Sequence, residues 1–436
     1  MAGGQKNLKV CLVSLGCSKN LVDSERLLGA AVRLGLEAEA DPGEADLLLV
    51  NTCAFIEPAV RESIETILDL AARKKSGAKL AAAGCFPARD LEAVRRGLPE
   101  VDLWVLPGDY ERFPSLIAGL LGLPEPAGQP VFDRQSRLLG TPPWRAYLKT
   151  AEGCRRRCTY CIIPRLRGPL TVRPLSELTE EAARLAEAGV LELTLVAQDL
   201  TSWQEGDQNI SHLVRALAAV EPLRWIRLMY AHPLGLTERT VKSLAQTAKA
   251  VPYLDVPLQH ASPRILKRMG RPAENPLKLI ERLRRWWPGA ALRTTLMVGF
   301  PGETEADFAC LEELVREAAF EHAGVFRFQA EDLAPAGSWP EQIPEAEKKR
   351  RFRRLMALQK KISRTRLRGL IGREYEILSE GPSPDNPYVN FGRTPFQGPE
   401  EDGVTFFDGG QPEGGRIVRA RIKASGDYDL TAEVLE

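Results

Sequence analysis

Three cysteines lie within eight residues of one another in the segment EGCRRRCTYCIIP, which spans 152–164. They are Cys154, Cys158 and Cys161, and no fourth cysteine or histidine lies nearby in the sequence. Thiolates are soft ligands that suit iron–sulfur clusters or zinc, and both kinds of site usually take four protein ligands. The spacing leaves two interpretations open: a zinc site with a distant fourth ligand, or, as we favour, an iron–sulfur cluster with one iron left open to a substrate or cofactor.

Three further cysteines share one topological position, although they are far apart in the sequence. Cys17, Cys53 and Cys85 each directly follow a predicted strand of the N-terminal segment. The carboxyl ends of parallel strands line one edge of a sheet, where ligands bind, so these thiols can converge. The alternative is that each of them is simply a buried apolar thiol. We give that interpretation to Cys11 and Cys310. The pattern predicts a second cluster, again with three protein ligands.

The elements that position these cysteines begin with an N-terminal domain at 1–123. Its predicted strands are LKVCLVSLG, ADLLLVNTC, AKLAAAGC and VDLWVL, and they alternate with amphipathic helices. That alternation predicts a doubly wound parallel α/β domain. One helix, PAVRESIETILDLAARKK, starts near Pro58. Its expected buried face comprises Val60, Ile64, Ile67, Leu68 and Ala71. A linker rich in proline and glycine follows at 124–143.

Residues 144–345 repeat the strand–helix alternation six times, which predicts an open (β/α) partial barrel. Polar side chains follow the predicted strands, at the rim where parallel barrels carry their active sites. Some of them are expected only to cap helices or end strands. These residues are Glu152, Gln198, Asp199, His232, Gln259, His260, Glu303 and Glu331.

A basic connector helix and a small β-domain complete the chain. The connector, 346–372, contains eleven lysines and arginines and no acid between 348 and 368. We favour a connector with a solvated face over a direct binding role. Residues 373–436 contain short strands separated by turn residues, which predicts a small all-β barrel. This segment has six basic and thirteen acidic residues, for a net charge of −7.

Composition restricts the class of protein further. The 436 residues contain 59 lysines and arginines against 58 acids, so the whole chain is not a polyanion binder. No signal peptide or long apolar run is evident. We therefore expect a cytoplasmic protein whose cysteines stay reduced and serve as ligands or catalytic groups.

The segment CRRRCTYC resembles the CxxxCx(aromatic)C signature of radical S-adenosylmethionine enzymes, with Tyr160 at the aromatic position. VGFPGE at 298–303 resembles the turn near the cofactor in that superfamily. The resemblance implies a 4Fe–4S cluster on Cys154, Cys158 and Cys161, whose open iron binds S-adenosylmethionine. The residues expected to contact this cofactor are Tyr160, Gln198, Gly299, Pro301, Gly302 and Glu303.

Taken with Cys17, Cys53 and Cys85, the whole chain resembles the methylthiotransferase family, which replaces C–H by C–S–CH₃. The resemblance implies two 4Fe–4S clusters, S-adenosylmethionine, a TRAM-like C-terminal barrel and a reducing electron donor such as flavodoxin or ferredoxin. GCSKNLVDSE and LDVPLQHASPRILKRM resemble the protein-modifying RimO branch, which acts on an aspartate of the small-subunit ribosomal protein numbered twelve. The tRNA-modifying MiaB branch typically has Gln-Met-Asn where this chain has Ser18, Lys19 and Asn20.

Charge supports a protein substrate independently of that resemblance. A barrel that binds tRNA should be basic, whereas this barrel is acidic and suits a basic ribosomal protein. A purely solubilising role for the acids is the alternative. Two other functions stay open: methylthiolation of a tRNA adenosine, and a non-catalytic iron–sulfur scaffold or sensor. The run FPARD after Cys85 and the residue Trp203 depart from the family pattern, but neither is an expected cluster ligand.

Overall fold

The computed structural model describes residues 8–125, 137–408 and 413–435. Most of the predicted linker, 126–136, lies outside the described residues. The chain forms two compact units. The first unit contains Met1–Gly140 together with Glu152–Arg156 and Ile162–Thr171, and the second contains Thr141–Ala151, Arg157–Cys161 and Val172–Glu436. Two short segments from the cysteine-rich region are thus part of the N-terminal unit.

The first unit is built on a five-stranded parallel sheet with the strand order β2-β1-β3-β4-β5. The strands are β1 (Lys9–Ser14), β2 (Glu37–Ala38), β3 (Leu47–Thr52), β4 (Lys79–Gly84) and β5 (Leu103–Val105). All six residues of the central strand β3 are buried, which explains the continuous apolar run of its first four residues, LLLV. The parallel α/β fold predicted from the sequence is confirmed, and β2, with two exposed residues, is an addition.

Helices lie between these strands and after the last of them. They are α1 (Ser18–Arg33), α2 (Glu57–Arg73), α3 (Leu91–Gly97), the 3₁₀ helix η1 (Pro107–Arg112), α4 (Phe113–Leu121) and α5 (Ile163–Arg167). Leu27 and Ala31 of α1 pack with Phe113 and Ile117 of α4 and with Leu47 of the sheet. This core packs the second half of α1 on the sheet.

The predicted helix α2 is present, and its expected buried face is partly confirmed. Ile67 is buried as expected, and the other predicted members are half-buried except Leu68, which is exposed. The structure also buries Ser63 and Leu70. Ser63 is tolerated there because its hydroxyl donates a hydrogen bond to the carbonyl of Cys53 and accepts one from the Cys53 N–H, at 2.7 and 3.1 Å. Apolar periodicity could not indicate Ser63, because this polar residue is buried only through its hydrogen bonds.

The second unit contains a six-stranded parallel sheet in the order β15-β14-β13-β12-β9-β6. These six strands take positions across the sheet in the same order as along the chain. Its strands are β6 (Arg145–Lys149), β9 (Glu192–Val196), β12 (Trp225–Leu228), β13 (Ala250–Asp255), β14 (Ala291–Val298) and β15 (His322–Arg327). The order leaves β6 and β15 as edges, so the predicted open barrel is confirmed.

Helices and short elements alternate with these strands. The helices are α6 (Leu175–Glu187), α7 (Ile210–Ala218), α8 (Glu238–Ala245), α9 (Pro263–Arg268), α10 (Pro276–Trp286), α11 (Glu305–Ala318) and α12 (Glu345–Arg368). The 3₁₀ turns are η2 (Leu200–Ser202), η3 (Pro233–Gly235) and η4 (Pro335–Ser338). The two-residue strands are β7 (Ala151–Glu152), β8 (Thr171–Val172), β10 (Gln204–Glu205) and β11 (Gln208–Asn209).

The basic helix α12 uses several of its cations internally. Arg351 contacts Glu303 at 2.7 Å, and Arg354 contacts Glu312 of α11 at 2.6 Å. These ion pairs seat α12 beside α11.

The C-terminal strands close into a small barrel in the order β16-β17-β18-β20-β19. They are β16 (Glu374–Pro382), β17 (Asn390–Arg393), β18 (Thr405–Asp408), β19 (Ile417–Ser425) and β20 (Leu430–Val434). Ile377, Phe407, Ile422 and Leu430 form its core. The predicted barrel is confirmed, with β17 as a strand that the sequence pattern did not indicate. Within the described residues, no helix has the length and apolarity needed to span a membrane.

Candidate cluster sites

Cys17, Cys53 and Cys85 follow β1, β3 and β4, three strands that are adjacent in the sheet. Each cysteine comes within three residues of the end of its strand, and Cys17 also caps the start of α1. The thiols interact electrostatically with one another, Cys53 with Cys17 and Cys85 with both. The structure therefore brings these three predicted ligands together; we call this place the auxiliary site.

A close approach of backbone to side chain shapes the auxiliary site. Gly16 has a φ of +90°, and a Cβ added to it would lie 2.7 Å from Cβ and 2.9 Å from Sγ of Cys53. Real Cβ atoms do not make such contacts, and L side chains rarely adopt this φ. Gly16 is therefore what lets the end of β1 carry Cys17 past Cys53.

Polar side chains form one wall of the auxiliary site. The Nε–H of Arg167 donates a hydrogen bond to Sγ of Cys85 at 3.1 Å. The Nη1 and Nη2 groups of Arg167 donate to Asp23 at 2.6 Å and to Asn20 at 2.7 Å. Sequence reasoning did not assign roles to these three residues. One signal was available: Asn20 and Asp23 lie three residues apart, hence on one face of the helix that starts after Cys17.

The protonation of the three thiols is uneven. Burial raises the pKa of the Cys85 thiol to about 11, although Arg167 acts in the opposite direction. Burial also raises the pKa of Cys53. Desolvation of the Cys17 sulfur alone would raise the pKa of this thiol. Lys19, the Asn20 N–H and Arg167 outweigh that effect, so the pKa of Cys17 is lowered. A cationic metal centre would shift all three to the thiolate form, since thiolates are the species that bind metals.

The donor set fits an iron–sulfur cluster, because all three groups are thiols at one sheet edge. Among the residues that the structure describes, no three or more cysteine, histidine, aspartate or glutamate side chains are arranged to hold a metal ion. A 4Fe–4S cluster does not require its cysteines to meet at one metal ion, because each cysteine binds a different iron.

The cysteine-rich segment 152–164, which we call the radical loop, begins in the N-terminal unit, with residues 152–156. Gly153 has a φ of +71°, and a Cβ there would lie 2.1 Å from the carbonyl oxygen of Pro169. The N–H of Cys154 donates to the carbonyl of Gly168 at 3.3 Å, and the N–H of Arg156 donates to Sγ of Cys154 at 3.4 Å. Cys154 thus follows a turn that requires glycine, and an N–H is already directed at its sulfur.

The second part of the radical loop is anchored within the barrel unit. The N–H of Cys161 donates to the carbonyl of Cys158 at 3.1 Å, which closes a tight turn. Thr159 binds the carbonyl of Met269 through its N–H and the carbonyl of Arg268 through its hydroxyl. Tyr160 packs on an apolar cluster of Ile265, Met269, Phe300, Phe328 and Ala336. Cys158 and Cys161 are half-buried. The apolar side chains around Tyr160 can exclude water from that side of the two thiols.

The turn VGFPGE ends β14 and is organised by its own glutamate. One carboxylate oxygen of Glu303 accepts the N–H groups of Gly299 and Phe300 at 2.7 and 3.1 Å. The other oxygen pairs with Arg351 at 2.7 Å. Gly299 and Gly302 both have positive φ, and Pro301 lies between them. The described contacts of Glu303 therefore stabilise the turn that also contains Gly299, Pro301 and Gly302.

Several other rim residues cap local structure, as the alternative interpretation expected. Asp199 accepts the hydroxyls of Thr201 and Ser202 at 2.7 and 2.6 Å. His260 accepts the N–H of Ser262, and His232 accepts the N–H of Leu234. Gln198 is half-buried, and Glu331 is buried after β15.

Two rim residues carry backbone strain. Tyr230 and Gln259 have φ of 61° and 71°, which non-glycine residues rarely adopt. Such strain concentrates at functional sites, and both lie just after barrel strands.

Three family models match the chain in the order of its parts. Residues 9–106 match Uncharacterized protein family UPF0004, residues 148–315 match the Radical SAM superfamily, and residues 371–435 match the TRAM domain. The fold and the two sets of three cysteines thus define a radical S-adenosylmethionine enzyme of the methylthiotransferase class.

Relatives named "Ribosomal protein uS12 methylthiotransferase RimO" match nearly the full length. The protein of Geobacter sulfurreducens is 44% identical over 440 residues, covering 98% of each chain. Those of Trichlorobacter lovleyi and Pelobacter propionicus are each 43% identical, again with 98% of both chains covered. The chain belongs to this family of uS12 methylthiotransferases.

Solved structures support the fold alone. The radical S-adenosylmethionine methyltransferase TsrM of Kitasatospora setae, with cobalamin and a [4Fe-4S] cluster, is 18% identical with a TM-score of 0.56, covering 76% of this chain and 77% of that one. A TsrM complex with tryptophan and aza-SAM has 19% identity, a TM-score of 0.58 and coverages of 76% and 75%.

Proposed function

We propose that this protein replaces an unactivated C–H of an aspartate on ribosomal protein uS12 by C–S–CH₃. Membership in the family gives it S-adenosylmethionine and 4Fe–4S clusters as cofactors. We assign Cys154, Cys158 and Cys161 to the radical-generating cluster, and Cys17, Cys53 and Cys85 to the auxiliary cluster. The observation that carries the proposal is the meeting of three thiols at the ends of β1, β3 and β4, outside the radical loop.

The chain's own residues have distinguishable tasks in this scheme. When bound, an open-iron cluster with S-adenosylmethionine supplies the electron that cleaves the sulfonium and so allows hydrogen abstraction from an inert carbon. Tyr160 and the apolar side chains around it keep water from Cys158 and Cys161. Glu303 holds Gly299 and Phe300 in the turn where we expect the cofactor to bind. Gln198, at the end of β9, is a further proposed cofactor contact.

Charge supports the choice of a protein substrate. The C-terminal barrel has thirteen acids against six basic residues, which would repel a phosphate backbone and attract a basic ribosomal protein. The basic helix α12 does not reverse this, because Arg351, Arg354 and others pair with acids of the same unit. We also infer a cytoplasmic location and a low-potential donor such as flavodoxin or ferredoxin, since uS12 is a ribosomal protein and the chemistry consumes electrons.

The deciding experiment presents both substrate classes to one enzyme preparation. Anaerobically reconstituted protein is incubated with S-adenosylmethionine, sulfide and a reductant, together with either isolated uS12 or bulk tRNA. Mass spectrometry of peptides and nucleosides then locates any added methylthio group. We expect modification of an aspartate in uS12 and none in tRNA. Methylthiolated adenosine without modified uS12 would show that the enzyme belongs functionally with the tRNA-modifying branch.

A further inference from the structure

One buried side chain contacts a proposed ligand of the auxiliary cluster. Arg167 ends helix α5, and its side chain is 3% exposed. Its Nε–H donates to Sγ of Cys85 at 3.1 Å. Its remaining donors reach three oxygens: Oδ2 of Asp23 at 2.6 Å, Oδ1 of Asn20 at 2.7 Å and Oε2 of Glu152 at 3.2 Å. All these residues lie in the first compact unit.

The three oxygen contacts fix the direction of the N–H···S hydrogen bond. A guanidinium is planar and presents its donors in a rigid fork, so anchoring Nη1 and Nη2 also sets the orientation of Nε–H. Asp23 is itself 1% exposed, and its carboxylate balances the charge of Arg167 without involving the thiol. What Arg167 adds at Cys85 is therefore mainly a directed hydrogen bond.

We propose that Arg167 is a positioning residue that raises the reduction potential of the auxiliary cluster through its hydrogen bond to the Cys85 sulfur. The reduced cluster carries one more negative charge, and an N–H aimed at a ligand sulfur stabilises that charge. Hydrogen bonds to the sulfurs are among the main determinants of cluster potential. This inference rests on the proposed function, which assigns a cluster to Cys17, Cys53 and Cys85.

The test isolates the auxiliary cluster in the full-length chain. Cys154, Cys158 and Cys161 are replaced by alanine together, the protein is reconstituted with iron and sulfide, and the midpoint potential is measured by redox titration with electron paramagnetic resonance. Arg167→Gln and Arg167→Lys are made in this background. Arg165→Gln is the matched control, because Arg165 lies two residues earlier in α5 and is exposed.

We expect Arg167→Gln to keep its iron and to shift the oxidised-to-reduced ratio at fixed potential at least tenfold toward the oxidised form, which is 59 mV for one electron. Arg165→Gln should leave the ratio unchanged. An unchanged potential in Arg167→Gln would overturn the proposal.

If Arg167→Gln loses its iron, Arg167→Lys decides, because an ammonium cannot reproduce the directed N–H while bound to Asp23. A lowered potential in Arg167→Lys supports the proposal, and a wild-type potential contradicts it. Loss of the cluster in both variants would mean that Arg167 acts in assembly instead, which also refutes it. A background protein with native Arg167 that forms no cluster would refute the cluster assignment as well.

Discussion

Glu192 of β9 accepts a hydrogen bond from Nε of Arg227 in the neighbouring strand β12 at 2.7 Å, and neither side chain has any exposed surface. The other carboxylate oxygen of Glu192 pairs with Arg393 of β17 at 2.5 Å. Arg227 in turn donates to the carbonyl of Pro395 at 2.7 Å. One buried carboxylate therefore joins two strands of the open barrel to the small C-terminal barrel.

Replacing Glu192 by glutamine should be strongly destabilising. The amide would take from the buried Arg227 the carboxylate it pairs with and would leave Arg393 paired only with Glu380, at 2.8 Å. Breaking a buried pair in this way costs about 3–5 kcal/mol. Urea unfolding followed by circular dichroism measures the loss in free energy of unfolding. Glu187→Gln is the control, because Glu187 is exposed at the end of α6 and should change stability by less than about 0.5 kcal/mol. Equal effects of the two substitutions would refute a structural role for the buried pair.

The Glu192 carboxylate should also make the stability of the protein depend on pH. Burial disfavours the charged form of Glu192, but Arg393 and Arg227 outweigh it and lower its pKa from 4.5 to about 2. A carboxyl with a depressed folded-state pKa stabilises the protein above its unfolded-state value, and that stabilisation is lost as the pH falls from 4.5 toward 2. The lowered pKa of Glu192 corresponds to a contribution of about 3 kcal/mol to the free energy of unfolding.

The measurement is the free energy of unfolding between pH 6 and pH 2.5 for the wild type and Glu192→Gln. The difference between the two proteins should shrink as the pH falls below 4.5. A difference that stays constant over this range would mean that Glu192 does not titrate with the predicted shift.

Local patterns predicted the elements of this protein well, and contacts distant in sequence were predicted poorly. Alternation of strands and helices is sufficient for both parallel sheets, because each strand depends mainly on its own apolar run. The strand β17, Asn390–Arg393, lacks such a run and is held by pairing with β16 and β18. The cysteines of the auxiliary site were predictable because each follows a strand. The contact of Arg167 with Cys85 joins residues 82 positions apart, and no local pattern encodes it.

Gly16→Ala should disturb the auxiliary site selectively. The new Cβ would press on Cys53, whose sulfur must be free to bind iron, so we expect loss of the auxiliary cluster and about half of the iron. Gly35→Ala is a matched control: Gly35 has nearly the same φ, +92°, but nothing lies within 4 Å of its added Cβ. Both variants bear the backbone strain of about 1 kcal/mol, and only Gly16→Ala adds the clash. Iron analysis and thermal unfolding separate the two effects, and full iron in Gly16→Ala would refute the geometry of the site.

Cys154→Ala should remove the radical cluster and leave the auxiliary one. Two 4Fe–4S clusters contain eight irons, so the variant should retain about four and lose reductive cleavage of S-adenosylmethionine. Cys310→Ala is the control, because Cys310 lies in α11, where its thiol bonds only to the Ala306 carbonyl among the described contacts, and its iron should be unchanged. Chemical iron analysis and chromatographic detection of the cleaved nucleoside give the two readouts. Cleavage that survives in Cys154→Ala would contradict the radical assignment. Loss of all iron would instead mean that the two sites do not assemble independently, so the selective loss of one cluster is the outcome that identifies Cys154 as a ligand of the radical cluster alone.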